Sequence, residues 1–178
     1  GIPAALYMAL ASSLVRAEAV QNADPETVVR CVNRHLVERD MESMFVTLLY
    51  AEVNLRTRVL HLVRAGHEHP LLWESERLIV PADAQRSMPL GLVETPLLDV
   101  RTVTLAAGAT LLMYTDGITD AIDVHAQPFG KSGLLTLVAA NLSLPVQALC
   151  EAIDDAVRAY QGSMPQFDDV TSLVVRLR

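Results

Sequence analysis

The hydrophobic periodicity changes three times along the chain, and the order of those changes limits the available folds more than any other feature. Small and apolar residues dominate Pro3 to Gln21, which predicts a helix buried on most sides against a core or another subunit. Asp24-Pro25-Glu26 then supplies an N-cap, a first-turn proline and an acid that complements the helix dipole, starting a second helix to about Arg39. At Met44 the pattern shortens to apolar runs, Met44 to Tyr50 and Arg58 to Val63, joined across an Asn54-containing turn as an antiparallel hairpin. Pro70 to Trp73 and Arg77 to Val80 continue that spacing, Pro81 to Pro96 reads as a long loop, and Asp99 to Leu105 with Thr110 to Tyr114 forms another strand pair. Helical spacing returns over Lys131 to Asn141 and Pro145 to Gln161, and Val170 to Leu177 closes as a strand. Helices, antiparallel strands, helices and one strand make an α+β pattern, which excludes the regular βαβ alternation of a parallel sheet. No internal repeat or linker interrupts it, so residues 1–178 read as a single domain or part of one.

Composition narrows the partners. Half of the 178 residues are hydrophobic (51%) and 20% are charged, enough apolar material for a substantial core. The formal net charge of −7 gives no electrostatic footprint for nucleic acid or an anionic membrane surface. Cys31 and Cys150 lie far apart, without zinc-site or redox-pair spacing, and read as buried thiols of a reducing cytoplasm. No apolar run approaches the roughly 20 residues that span a bilayer, and the opening residues show no basic n-region with a cleavage site. Gly1-Ile2-Pro3-Ala4-Ala5-Leu6 enters a helix pattern at once, without a start methionine, as the interior of a longer chain would.

Two segments carry the chemistry. In Leu111 to Asp120, an apolar strand ends in Asp116-Gly117, which puts a carboxylate at the lip of a sheet beside a residue that lets the backbone turn sharply. In Phe167 to Val175, the adjacent acids Asp168 and Asp169 directly precede a β-rich run. Each could be a plain solvated turn; together they suit Mg²⁺ or Mn²⁺, hard cations that take carboxylate oxygens and keep several waters. Other strings fail. Gly130-Lys131-Ser132 has His125 where a phosphate-binding loop needs glycine, and His67-Glu68-His69 lacks the one-turn histidine spacing of a helical zinc site. Tyr114 stands where a phosphoaspartate motif would need its nucleophile, and Asp116, Asp120 and Asp123 miss the rhythm of a calcium-binding loop.

Six strings in order resemble the SpoIIE-type branch of the metal-dependent serine/threonine phosphatases, the protein phosphatase 2C superfamily. They are Gly1 to Ala9, Met44 to Leu48, Ala65-Gly66-His67-Glu68-His69-Pro70, Pro89 to Leu92, Leu112 to Ala121, and Asp168-Asp169-Val170-Thr171. The resemblance implies an αββα sandwich of two antiparallel sheets flanked by helices, with a two-metal Mn²⁺ or Mg²⁺ site at one end of the sheets. Asp116 matches the metal-binding aspartate of the family's Asp-Gly motif and Asp168 the one near the last strand, with Asp169 as the alternative and Gly117 supporting the turn. His67 falls in a Gly-His-x-x-Pro string with a structural role.

The implied reaction is hydrolysis of a phosphoserine or phosphothreonine ester by a water that the two ions activate for in-line attack, without a covalent enzyme intermediate. The implied substrate is a phosphorylated regulatory protein of the anti-sigma-factor-antagonist type in bacterial signalling, with control by an attached upstream sensory or receiver domain. The helices from Pro3 to Gln21 and Asp24 to Arg39 match the branch's regulatory helices and suggest a homodimer contact. The chain departs from the family pattern in lacking two further aspartates, which the family carries before the Gly-Ile-Pro-Ala-Ala helix, so an N-terminally truncated domain without its first strands is expected. The alternative is a non-catalytic phosphatase-fold module for partner binding or dimerisation.

Overall fold

The computed structural model describes residues 2–39, 44–75, 77–79 and 86–177. In chain order the elements are α1 (Ile2–Gln21), α2 (Pro25–Val37), β1 (Leu48–Asn54), β2 (Val59–Ala65), β3 (Leu71–Glu74) and β4 (Arg77–Ile79). They continue with β5 (Asp99–Thr104), β6 (Thr110–Tyr114), α3 (Asp116–Thr119), α4 (Gly130–Asn141), α5 (Val146–Gln161) and β7 (Ser172–Arg176). Contacts divide the chain into two compact units, one of Gly1–His67 and Ala82–Leu105, the other of Glu68–Pro81 and Ala106–Arg178.

The first unit is an antiparallel sheet in the order β1-β2-β5 with α1 and α2. Asn54 closes the β1–β2 hairpin by accepting at Oδ1 from the amides of Arg56 and Thr57, both at 3.0 Å. Asp24 caps α2 as expected, its carboxylate accepting from the Thr27 amide at 2.8 Å. Val29, Val32 and Leu36 of α2 then bury against Val63 and Ala65 of β2, with Leu90, Leu98, Tyr7 and Ala11 completing the cluster. Asn33, fully buried on the same helix, holds a loop to it: Oδ1 accepts from the Gly91 amide at 2.9 Å, and Nδ2 donates to the carbonyls of Val93 and Glu94. Gly91 takes φ +90°, and a methyl there would stand 2.6 Å from the Tyr7 hydroxyl, so both conformation and space demand glycine.

Several expectations are corrected here. In α1 only Tyr7, Ala11 and Glu18 are buried, while Ile2, Leu6, Met8 and Val20 are exposed, because one stripe of an all-round apolar helix packs and the rest faces outward. The buried polar residue is Glu18, whose Oε1 lies 2.8 Å from His35 Nε2 of α2 and whose Oε2 accepts from Asn22 Nδ2 at 2.9 Å. Cys31 and Cys150 are free but half-buried; Arg34 donates to Cys31 Sγ at 3.6 Å. β1 starts at Leu48, four residues later than the apolar run, since Val46 pairs instead with Leu90 as an isolated bridge. Val80 and residues 81–85 of the expected long loop lie outside the described residues.

The second unit is an antiparallel sheet in the order β4-β3-β6-β7 with α3, α4 and α5. β5 and β6, expected as one strand pair, therefore belong to different sheets: β5 pairs with β2, and β6 with β3 and β7. Leu149, Ile153 and Val157 recur every four residues on α5 and meet Leu134 and Val138 of α4 and Trp73, Leu112 and Val174 of the sheet in one core. Arg176 on β7 anchors the connection between the helices, with Nη1 and Nη2 donating to the carbonyls of Leu144 and Leu142 at 2.7 and 2.8 Å and Nε to Thr110 Oγ1 at 2.8 Å. Two of these bonds satisfy backbone carbonyls in the short connection between α4 and α5. Among the described residues no helix is long and apolar enough to cross a membrane.

Two outcomes follow from the first unit. Asn33→Ala leaves one amide and two carbonyls without their partner and is expected to destabilise by roughly 2–4 kcal/mol, read from the urea unfolding midpoint. The His35 hydrogen bond, ahead of the other influences, holds the Glu18 carboxyl below the usual carboxylate range. Its contribution is therefore full above the ordinary glutamate pKa and lost as pH falls through the lowered value. Unfolding midpoints taken from about pH 6 to about pH 3 should fall more steeply in the native protein than in Glu18→Gln.

Candidate metal centre

The register of β6 on β7 sets the geometry. Leu112 pairs with Val174, and the last residue of β6, Tyr114, pairs with the first of β7, Ser172. The segments just beyond, Thr115-Asp116-Gly117 and Asp168-Asp169-Val170-Thr171, are consequently brought side by side. Thr115 joins them: its amide donates to the Thr171 carbonyl at 3.1 Å, and its hydroxyl donates to the Asp169 carbonyl at 2.8 Å and accepts from the Thr171 amide at 3.0 Å. Thr115 also occupies the N-cap position of α3, yet its side chain makes no cap hydrogen bond, because the hydroxyl is committed across to the other segment.

Asp116 is the first residue of α3, with an exposed side chain; its carbonyl accepts from the Asp120 amide at 2.7 Å and from Thr119 Oγ1 at 3.1 Å. A four-residue helix at this point has no counterpart in the expected pattern, as it is too short to show a periodicity. Gly117 is buried, and a methyl there would run into the Asp169 carbonyl and stand 2.9 Å from the Asp169 carbonyl carbon. Its backbone has no positive φ. Glycine is thus required by the closeness of the two segments rather than by a sharp turn.

Asp168 and Asp169 are both exposed, and Asp168 Oδ1 accepts from the Asp169 amide at 2.7 Å. The Asp169 main chain is the part that is clamped, between Thr115 and Gly117. These exposed carboxylates are hard oxygen donors, and Mg²⁺ is commonly held by one or two carboxylates with waters and substrate phosphate oxygens, so the chemistry of the set fits such an ion. Among the described residues no three His, Cys, Asp or Glu side chains group to hold a metal.

The neighbouring candidates do other work. Tyr114 is buried, and its hydroxyl donates to Glu68 Oε2 at 3.5 Å; burial first, and the Glu68 charge second, push its pKa above the ordinary phenol value, leaving a neutral donor. His67 contributes its carbonyl, which accepts from Arg64 at 2.9 Å. Asp123 Oδ1 accepts from the His125 and Gln127 amides and so closes its own loop. Thr115 and Thr171 lie inside the two acid-bearing strings, yet the sequence alone assigns them no role, because the bonds that join them form only when the two segments meet.

Two antiparallel sheets with helices match the protein phosphatase 2C-like fold. The SiaA-PP2C domain of Pseudomonas aeruginosa superposes with a TM-score of 0.85 at 26% identity, covering 100% of this chain and 72% of that one. A sequence model of the Stage II sporulation protein E (SpoIIE) family matches residues 1–178, and the chain belongs to that family. Protein IcfG of Synechocystis is 25% identical over 98% of this chain and 32% of its own length. Phosphoserine phosphatase RsbP of Bacillus subtilis is 24% identical over 100% of this chain and 43% of its own length. The chain thus spans less than half of these two relatives.

Gly117→Ala is expected to push the two acid-bearing segments apart and to destabilise by about 1–3 kcal/mol, seen as a lowered thermal midpoint.

Proposed function

We propose that residues 1–178 belong to one catalytic domain of a metal-dependent protein serine/threonine phosphatase. The observation that carries this is the junction of the Asp116 and Asp168-Asp169 segments through Thr115 and Gly117. Asp116 and Asp168 would hold Mn²⁺ or Mg²⁺ in a two-metal site, with Asp169 the less favoured ligand. When bound, such ions neutralise charge on the phosphoryl oxygens and activate water. The chain's own part is to fix the two carboxylates: Thr115 ties the segments by three hydrogen bonds, and Gly117 lets them approach.

The substrate is a phosphorylated regulatory protein of the anti-sigma-factor-antagonist type, a reading supported by RsbP, a phosphoserine phosphatase. An attached sensory or receiver domain fits relatives more than twice as long as this chain. The exposed apolar face of α1 supports a homodimer contact, and the two free thiols suit the cytoplasm. A non-catalytic module of the same fold is the second reading, favoured by the absence of a three-ligand group among the described residues.

The test is manganese-dependent release of phosphate from a phosphoserine protein by the complete polypeptide. Asp116→Asn and Asp168→Asn are each expected to lower the rate by about a hundredfold or more, the scale of a lost metal ligand. A complete polypeptide that neither binds manganese nor releases phosphate would establish the module instead.

A further inference from the structure

In the second unit, the large hydrophobic side chains left exposed among the described residues are three: Val124 (62%), Phe167 (89%) and Leu173 (53%). Single exposed apolar residues need no explanation. Their placement does, because α4 and α5 leave no large apolar side chain exposed, while Phe167 and Leu173 lie on the stretch that carries Asp168 and Asp169. Phe167 directly precedes Asp168 and Leu173 lies on β7, just past the Asp168-Asp169 segment. Val124 follows α3 in a loop closed by Asp123.

The backbone on either side of Phe167 is tied. Gln166 Nε2 donates to the Asp168 carbonyl at 2.8 Å, spanning the phenylalanine, and the Asp169 carbonyl beyond is fixed by Thr115. Pro165 restricts the backbone before it. An aromatic ring on a tied backbone contacts a ligand without the added loss of ordering the chain that carries it. Aromatic side chains so placed supply the anchoring contacts of polypeptide recognition. A small phosphorylated metabolite has no use for an apolar ring beside the carboxylates; a polypeptide that brings a phosphoserine to Asp168 has a side chain beside it to lay there.

We propose that Phe167 is a specificity-determining residue of the phosphatase site, receiving an apolar side chain adjacent to the phosphoserine of the substrate. This rests on the phosphatase reading above.

The experiment compares the complete polypeptide with its Phe167→Ala and Phe167→Leu variants in manganese. The probes are p-nitrophenyl phosphate and two phosphoserine peptides that differ in carrying leucine or glutamate beside the phosphoserine. Phe167→Ala is expected to raise KM for the leucine peptide about tenfold, the usual effect of deleting one anchoring aromatic contact. It should leave p-nitrophenyl phosphate and the glutamate peptide unchanged, and Phe167→Leu should restore most of the preference. Equal losses on all three probes, or a native protein indifferent to the neighbouring residue, would overturn the role of Phe167 while leaving the phosphatase reading intact. A native protein inactive on every probe would overturn both.

Discussion

Everything at the acid-bearing end of the second unit depends on the register between β6 and β7. A strand's side chains alternate between faces, so a slip of one residue would turn each to the wrong side. Leu112 and Val174 are buried and directly paired, and they belong to the core that α4 and α5 cover. The same register carries Thr115 to Asp169 and Thr171. Hydrophobic burial, at about 25 cal/mol per Å², therefore fixes the position of groups that contribute nothing to burial themselves. The two carboxylates need not attract each other, which exposed like charges would not do; the core beneath them sets where they stand.

The first unit uses a different device. Its sheet is covered by α2 through a regular apolar stripe, but the loop ahead of β5 has no periodic element to hold it. A single buried amide, Asn33, takes that role with three hydrogen bonds to backbone groups, and Gly91 lies close against Tyr7. Buried polar groups of this kind are tolerated only when satisfied, and no buried side-chain polar atom among the described residues lacks a partner.

Much of this was legible from the residues alone, wherever the determinant is local. Asp24-Pro25-Glu26 announces a helix start by its own chemistry, and β6, bounded by Gly108 and Asp116, falls where its apolar run lies. The Asp-Gly and Asp-Asp strings mark two strand ends that the register of β6 on β7 brings side by side. What could not be read concerns partners distant in sequence. The apolar face of α1 looks the same whether covered or bare, and Glu18 is buried only because His35 lies across from it. Gly117 suggested a turn because that is the commonest reason for glycine after aspartate, whereas its neighbour is the Asp169 carbonyl. Thr115 resembles an ordinary cap until the second segment is in place.

The Thr115–Asp169 hydrogen bond joins residues 54 positions apart, with the α4–α5 hairpin between them. Closing a loop of that length carries an entropy loss that contacts formed only after closure can offset. The junction is accordingly a long-range element of the topology, assembled after the local helices and hairpins rather than with them. A partly folded chain would possess both aspartates and no site, and any event that loosens β7 would reach the carboxylates before it disturbed the helices.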